Sequence, residues 1–528
     1  MTGDTTLTAW FDACTAAAVQ TSGPDHTTLA PACCTTIIDP DQWGQAVQLA
    51  RQQQMRWCAF WASQLPMGDL EACTVLESHG HYLLLRTRVK INMEINSLAG
   101  IYPAADRPER HAHDLLGIHF SRQPDSRRWT RHCAWHDKDY PLQTYFSRPA
   151  PDPTPADDGY PFHTAHGAGV VEIPVGPVHA GIIEPGHFRF QAVGETVLNL
   201  EERLGYVHKG IEKIAVGRDA TGLARLAGRV SGDTTVAHAW AACQAMERAC
   251  RVAVPPRALY FRAVMAERER IANHLGDIAA ICNDVSYSFA YYQLMRIKEE
   301  WLRENQAAFG HRYLMDCIVP GGIATEPAAA IIGAMAGRCT QLQTLVSGLI
   351  TVFEASETLE DRLMTTGRLT PDQAALQGAV GYVGKASGQG FDVRQAAPYP
   401  PYDALQVKIP TYRAGDVAAR ARIRADEISI SLDLIRELLL RLPAGDLRAA
   451  WPATLPDTVE GIGMIEGWRG EIISYIKLDT GGRILRFYPR DPSWLIWPAL
   501  EQLIQGNIVP DFPVCNKSVN GSYSGQDL

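Results

Sequence analysis

No two cysteines in this 528-residue chain stand at Cys-x-x-Cys spacing. That removes the usual sequence mark of a zinc ribbon or of an iron–sulfur cluster held by one polypeptide. The twelve cysteines are scattered, apart from Cys33–Cys34, an adjacent pair with poor geometry for chelating one metal. They read as mostly buried single thiols in a reducing compartment. Long apolar runs are also missing. The most apolar stretch, Ala328 to Val352, is interrupted by Arg338, Gln341 and Gln343, so it reads as a buried helix and not as an unassisted membrane span. The N-terminus lacks the basic region and apolar core of a secretory signal, and the expectation is a cytoplasmic chain. No Lys/Arg-rich block offsets the formal charge of -9, which argues against a nucleic-acid partner.

What is present is an ordinary folded composition, 46% apolar and 20% charged, long enough for at least two hydrophobic cores. The first 147 residues read as a small α/β domain. Gln45 to Ala62 is rich in helix formers, and Cys73 to Lys90 holds strand-like runs such as Tyr82 to Val89. Prolines crowd Arg148 to Gly159, so neither helix nor sheet propagates there, and residues 148–165 are expected to form a linker.

Residues 171–215 suggest strand, Gly/Pro/His loop and strand. From about 218 to 370 helical patterns dominate, with long helices over Ala237–Val252 and Arg257–Ile278 and others around Arg296–Asn305 and Ile332–Thr351. The charged series Glu267, Arg268, Glu269 and Arg270 reads either as a solvated face or as an internal salt-bridge network. Gly381 to Gly388 looks like a glycine-spaced turn without the sequence of a phosphate-binding loop. Ile428 to Leu440 is helical, and Glu471 to Tyr488 alternates as a hairpin around Thr480-Gly-Gly482.

Two signatures occur in order. The first is Pro103-Ala-Ala-Asp-Arg-Pro-Glu-Arg-His-Ala-His-Asp114, followed by Pro124-Asp-Ser-Arg-Arg128. It resembles the 30-kDa-type subunit of respiratory complex I. The second is Glu172-Ile-Pro-Val-Gly-Pro-Val-His-Ala-Gly-Ile-Ile-Glu-Pro-Gly-His-Phe-Arg-Phe190 with Leu204-Gly-Tyr-Val-His-Lys-Gly-Ile-Glu-Lys213. It resembles the 49-kDa-type subunit and the large subunits of group 4, energy-converting [NiFe]-hydrogenases. The likeness continues through Glu269-Arg-Ile-Ala-Asn-His274, Pro320-Gly-Gly322, Gly384-Lys-Ala-Ser-Gly388, Asp392-Val-Arg394 and Glu466-Gly-Trp-Arg-Gly-Glu471. Both modules in one chain resemble a formate-hydrogenlyase-type large subunit. The implied fold is α+β, a small α/β domain followed over residues 166–528 by a largely helical domain with peripheral β structure.

In the hydrogenase pattern an arginine precedes Cys-x-x-Cys, and a histidine follows at the interval that Arg229 and His238 keep. The cysteine positions hold Ser231 and Thr234. Complex I chains usually carry a quinone-binding tyrosine in this segment; Arg229 to His238 has none, so the hydrogenase branch fits better. Near the C-terminus the family's Asp-Pro-Cys-x-x-Cys reads Asn520-Gly-Ser-Tyr-Ser-Gly525, leaving Ser522 and Gly525 in the other two ligand positions. The family removes an extension after this motif, a step a metal-free chain would not need. Thiolate is soft and forms near pH ~8.5, whereas an aliphatic hydroxyl is harder and far less acidic and glycine offers no ligand. Cys515 has no second cysteine nearby and reads as a packed thiol.

The resemblance places His179 and Glu184 in a loop facing the active centre or quinone cavity, where they either relay protons or brace the loop. His187 reads as a strand cap, and His208 as part of a fold-supporting motif. His238 faces the old metal position, as a functional group or as a core hydrogen bonder. Arg394 and Arg469 either stabilise an anion or semiquinone, or form buried salt bridges to Asp392 or Glu471. Arg107, Arg110, Arg127 and Arg128 have interface and fold-support roles. The resemblance further implies an iron–sulfur small subunit with a [4Fe-4S] cluster, integral membrane ion-translocating subunits, and a quinone as a candidate ligand. It puts the protein on the cytoplasmic side of a membrane, in a complex that does not activate hydrogen at nickel.

Overall fold

Neighbouring residues of the run Tyr82–Leu85 serve two different cores. Leu83 and Leu85 pack with Trp10, Trp43 and Phe60, while Tyr82 and Leu84 pack with Trp61 and the body of the chain. This is the side-chain alternation of a strand buried on both faces. The computed structural model describes residues 2–26, 33–91, 93–132, 138–146, 159–181 and 183–528. Helices α1 (Thr2–Ala16) and α2 (Trp43–Gln52) accompany five strands, β1 (Asp25–His26), β2 (Cys33–Ile37), β3 (Arg56–Gln64), β4 (Leu70–Ser78) and β5 (His81–Val89). Their order is β1-β2-β5-β4-β3, with β2 and β5 parallel and the other pairs antiparallel. The helix formers of Gln45–Ala62 stay helical only to Gln52; Trp57, Phe60 and Trp61 then favour a doubly buried strand. A short parallel pair, β6 (Glu94–Asn96) and β7 (His119–Ser121), flanks α3 (Asp106–Leu116).

Of the expected proline-rich linker, residues 148–158 lie outside the described residues. Residues 159–165 have no regular structure. Beyond them β8 (Val170–Val175), β9 (His187–Val193) and β10 (Thr196–Arg203) form a three-stranded antiparallel sheet. There are thus three strands where two were expected, and the described residues between 176 and 186 lie in the loop joining the first two.

The helical body contains α4 (Ile211–Ala215), α5 (Ala220–Ala227), α6 (Thr235–Ala249), α7 (Pro256–Asp284) and α8 (Ser288–Phe309). A two-residue pair, β11 (Ile318–Val319) and β12 (Gly322–Ile323), precedes α9 (Ala329–Glu354), α10 (Glu357–Leu363), α11 (Pro371–Leu376), α12 (Gly381–Ala386), α13 (Val393–Ala396) and α14 (Val417–Leu440). Proline in the first turn starts α7, and α14 is started by Asp416, whose carboxylate accepts the Ala419 N–H at 2.8 Å. Glu267, Arg268, Glu269 and Arg270 are all buried, so the charged series of α7 is an internal network and not a solvated face. The supposed glycine-spaced turn at 381–388 is mostly the short helix α12, which drives Lys385 into the core. Among the described residues, no helix is long and apolar enough to cross a membrane.

The chain closes with β13 (Val459–Gly467), β14 (Gly470–Leu478) and β15 (Ile484–Arg490), then α15 (Ser493–Leu503), α16 (Phe512–Val519) and α17 (Tyr523–Asp527). The hairpin expected around Thr480-Gly-Gly482 joins β14 to β15. Strand β13 lies directly on α6, because a Cβ at Gly461 or Gly463 would strike the carbonyl oxygens of Ala245 and Ala241. The last sheet also meets the N-terminal one. Trp61 stacks on Tyr475 and Tyr488 at 4.9 and 5.7 Å, and Arg56 forks onto Glu471 at 3.1 Å through both terminal nitrogens.

Candidate functional site

Two loop-to-helix junctions, the entries to α6 and α17, bring the substituted positions together, and the hairpin turn between β13 and β14 closes over them. Ser231 and Ser522, far apart in sequence, hold their hydroxyl oxygens 2.9 Å from each other. Ser231 also donates to Asp233 at 2.8 Å, and Thr234 donates to the same carboxylate oxygen at 3.0 Å. Arg469 closes the group from the β13–β14 turn. Its terminal nitrogens donate to both Asp233 oxygens at 2.6 and 2.7 Å, and its Nε donates to the Asn520 carbonyl at 2.7 Å. The Trp468 indole donates to the Asp233 carbonyl and to the Thr234 hydroxyl, both at 3.0 Å. Burial opposes ionisation of Asp233, but the Arg469 guanidinium outweighs it and holds the carboxyl down at about 2.

Ser522 has a second task, since its hydroxyl caps α17 by accepting the Gly525 N–H at 2.9 Å. Behind Gly525 stands Asp491, which receives the Ser493 N–H at 2.8 Å and meets His238 Nε2 at 2.7 Å. The His238 and Asp491 side chains are both fully buried. His238, in the first turns of α6, is thus brought to the site as a partner of Asp491. Burial works against the Asp491 charge, yet the His238 contact leaves its carboxyl below the ordinary range.

The remaining expected residues divide. Glu184 is exposed on the 176–186 loop and touches the site's edge, its Oε2 accepting the Ser524 N–H at 3.0 Å. His179 meets the Gly186 carbonyl at 2.7 Å, and His187 meets the Gly176 carbonyl at 3.1 Å, so both tie the loop to itself. His208 binds the Asp527 carbonyl at 2.6 Å. Arg394 is not brought to the hydroxyl group. It pairs with Asp392 at 2.7 Å and Glu267 at 2.9 Å inside the helical core. Arg469 pairs with Asp233, not with Glu471, which is taken by Arg56 and Arg490. Arg229 points outward to Asp316. Arg107 and Arg110 hold Glu202, Glu501, Asp106 and Asp125, and Arg127 holds Asp125 and Glu201, which makes them braces between segments.

Residue reasoning missed Asp233, Asp491 and Glu269. Asp233 sits between the two substituted ligand positions, and an acid there beside a distant arginine was the available signal. Glu269 of α7 accepts the Val236 and Ala237 N–H groups at 2.7 and 3.2 Å, capping α6 from outside where Thr234 does not. Burial pushes Glu269 up to about 8. A raised carboxyl pKa means that the folded state binds the extra proton, so this contribution to stability is complete below the unfolded value and falls away as pH rises toward 8. Glu269→Gln is expected to lose less melting temperature than the parent between about pH 5 and about pH 8. Parallel melting curves for the two proteins would refute a proton on Glu269.

A nickel–iron centre does not fit these residues. Three hydroxyls, already bonded to one another and to Asp233, replace thiolates, and the fourth position has no side chain. A Cβ built on Gly525 would fall 2.6 Å from the Asp491 Cγ. Among the described residues no group of three or more His, Cys, Asp or Glu could hold a metal ion. The described cysteines are free, and Cys515, buried against Arg420, is far from ionising, its thiol pushed up to about 12 by burial.

Comparison with known proteins agrees with this architecture. Residues 36–150 match the respiratory-chain NADH dehydrogenase 30 Kd subunit, residues 284–463 the 49 Kd subunit, and residues 209–276 the nickel-dependent hydrogenase family. Formate hydrogenlyase subunit 5 of Escherichia coli (strain K12) is 30% identical over 453 residues, 84% of this chain and 79% of the relative. The carbon monoxide-induced hydrogenase of Rhodospirillum rubrum is 31% identical over 353 residues, 67% of this chain and 98% of the relative. The C/D polypeptide of the NADH-quinone oxidoreductase of Phocaeicola vulgatus is 28% identical over 411 residues, 74% of this chain and 79% of the relative. Among solved structures, a polypeptide of the membrane-bound sulfane sulfur reductase, an archaeal respiratory membrane complex, shares the fold. Its TM-score is 0.64 at 23% identity, over 68% of this chain and 98% of that one. The protein belongs to the family of fused complex I 30/49-kDa-type, hydrogenase-large-subunit-related chains, as a member without an identifiable nickel–iron ligand cluster.

Proposed function

We propose that the protein is the large peripheral-arm subunit of a hydrogenase-related, complex I-like membrane redox assembly, supporting electron transfer coupled to ion translocation and not hydrogen activation at nickel. The observation that carries this reading is the Arg469–Asp233 pair with its ring of Ser231, Thr234 and Ser522 hydroxyls, standing where the family's metal thiolates would be. Residues 1–147 form the 30-kDa-like module in this reading, 148–165 the linker and 166–528 the large-subunit module. Electrons arrive from a [4Fe-4S] cluster on an iron–sulfur small subunit. Val178, 85% exposed, and Ile183 on the 176–186 loop offer apolar surface for that neighbour. Integral membrane subunits move the ion, and the assembly lies on the cytoplasmic face. Quinone is the acceptor class, its head group placed near His179, Glu184 and His238. Arg394 and Arg469 act electrostatically, as fixed positive charges that hold the surrounding carboxylates ionised.

Isolation of the intact complex tests this directly. Iron without stoichiometric nickel, reduction of added quinone and no hydrogen uptake are expected. In that complex Glu184→Gln should lower coupled turnover about 100-fold while leaving the melting temperature unchanged. Unchanged turnover would remove Glu184 from proton transfer.

A second reading is favoured by the closed hydrogen bonding itself. With the Ser231, Thr234 and Ser522 hydroxyls already partnered, the protein would be a non-catalytic coupler joining the small subunit to the membrane arm. Absence of bound quinone, together with quinone reduction that persists in His238→Ala, would select it.

A further inference from the structure

The seam between the N-terminal sheet and the helical body is open on one side. A cavity of about 540 Å³ lies there, between the end of α2, the start of β3, helix α11 and residues 389–391. Its volume is within the roughly 300–1,000 Å³ range of small-molecule sites. Trp57, Met55, Tyr102 and Phe391 supply apolar wall.

The charges in this lining do not balance. Arg51 and Arg56 face the cavity, and among the described residues no acidic side chain lines it. Arg56 is already neutralised by Glu77 at 3.0 Å and Glu471 at 3.1 Å. Arg51 has no such partner among the described residues; its guanidinium lies over the Tyr102 ring, 5.3 Å from the centroid. Tyr102 itself is anchored, donating its hydroxyl proton to the Met55 carbonyl at 2.7 Å. Gln54, in a left-handed backbone conformation with φ 59°, adds a side-chain amide to the same rim. A lone cation on an aromatic shelf, with an amide donor beside it and apolar wall behind, is the chemistry that selects an anion joined to an apolar body.

We propose that this cavity binds a small organic anion, a carboxylate or phosphate ester with a planar or apolar body, with Arg51 as the anion-binding residue. The two walls come from different modules, so a bound ligand fastens the seam and raises the melting temperature. The proposal does not depend on the redox reading, because Arg51 lies outside the Asp233–Arg469 group.

Calorimetric titration of the full-length protein with inorganic phosphate, benzoate and phenyl phosphate, at constant ionic strength, tests it. Saturable binding of phenyl phosphate, tighter than inorganic phosphate, is expected. A preference for benzoate would assign the carboxylate class. Arg51→Gln should weaken binding about tenfold or more, and it removes no existing ion pair. Ala375→Asp, which puts a carboxylate on the opposite, exposed wall, should abolish binding. Arg88→Gln, at a surface pair with Asp69, should leave the affinity unchanged. No saturable binding of any of the three probes, or equal affinity in Arg51→Gln, overturns the assignment.

Discussion

Lys385→Met is expected to destabilise the protein by about 3–5 kcal/mol, because it strips the cation from a set of carboxylates held away from water. The Lys385 Nζ stands 2.7 Å from Asp392 and 2.7 Å from Glu427, with Glu466 at 3.8 Å, and all four side chains are essentially inaccessible. Arg394 bridges Asp392 to Glu267, and Arg270 reaches Glu267 at 3.3 Å and Glu427 at 3.6 Å. His274 also meets Glu427, at 2.6 Å, and burial lowers its pKa, which favours the neutral ring. Lys385, Arg394 and Arg270 then balance Asp392, Glu427 and Glu267, and the set closes with the remaining carboxyl, Glu466, neutral. Burial, reinforced by Asp392, pushes Glu466 upward, which agrees with that count. Burial opposes ionisation of Glu427 as well, but Lys385 overrides it and holds the carboxyl well below its ordinary range. Removing Lys385 leaves one more buried negative charge than Arg394 and Arg270 can balance, so part of the desolvation cost is no longer offset. Denaturant unfolding should show a lower midpoint at neutral pH, and the deficit should shrink as acid protonates the orphaned carboxyls. A midpoint equal to that of the parent would show that the network contributes no net stability.

The features legible beforehand were those written in consecutive residues. The turn residues Thr480-Gly-Gly482 between alternating runs predict the β14–β15 hairpin, and the apolar periodicity after Pro256 predicts α7. Partners separated by hundreds of residues were not legible. Glu471 was one of the salt-bridge partners open to Arg469, beside a role toward an anion, but β14 turns Glu471 toward Arg56 and Tyr82 in the N-terminal module, and Arg469 reaches back to Asp233. Arg229 and His238 keep the family interval, yet Arg229 lies before α6 and faces outward to Asp316, whereas His238 lies within the helix and faces Asp491. Spacing carries the register of a motif. It does not say which way each side chain leaves the backbone. The burial of Glu267 to Arg270 was undecidable for a related reason, since four consecutive charges lie around the whole circumference of a helix and no face is marked polar. The packing of α14, whose Ser431 donates to Glu267 at 2.6 Å, of α8, whose Trp301 ring lies 3.6 Å from the Arg268 guanidinium, and of α6, whose N–H groups meet Glu269, leaves α7 no solvated side there.

Gly525→Cys should destabilise the protein by about 3 kcal/mol, although it restores the residue type the hydrogenase pattern has at this position. The new Cβ would lie 2.6 Å from Asp491 Cγ and 2.7 and 2.9 Å from its carboxylate oxygens. Asp491 cannot step aside cheaply, because one oxygen holds the Ser493 N–H and the other holds His238, which is buried with it. Overpacking and loss of the histidine's partner therefore come together. Ser522→Cys is a milder change, as a thiol is a poorer cap for the Gly525 N–H and the loss is about 1 kcal/mol. Gly525→Cys with Asp491→Ser should recover part of the stability, because the smaller side chain vacates the space the new Cβ needs. Thermal melts of the single and double variants give the comparison. Additive losses would mean that Gly525 and Asp491 do not compete for the same volume, whereas partial rescue would show that the Asp491–His238 pair has taken space a fourth thiolate would need.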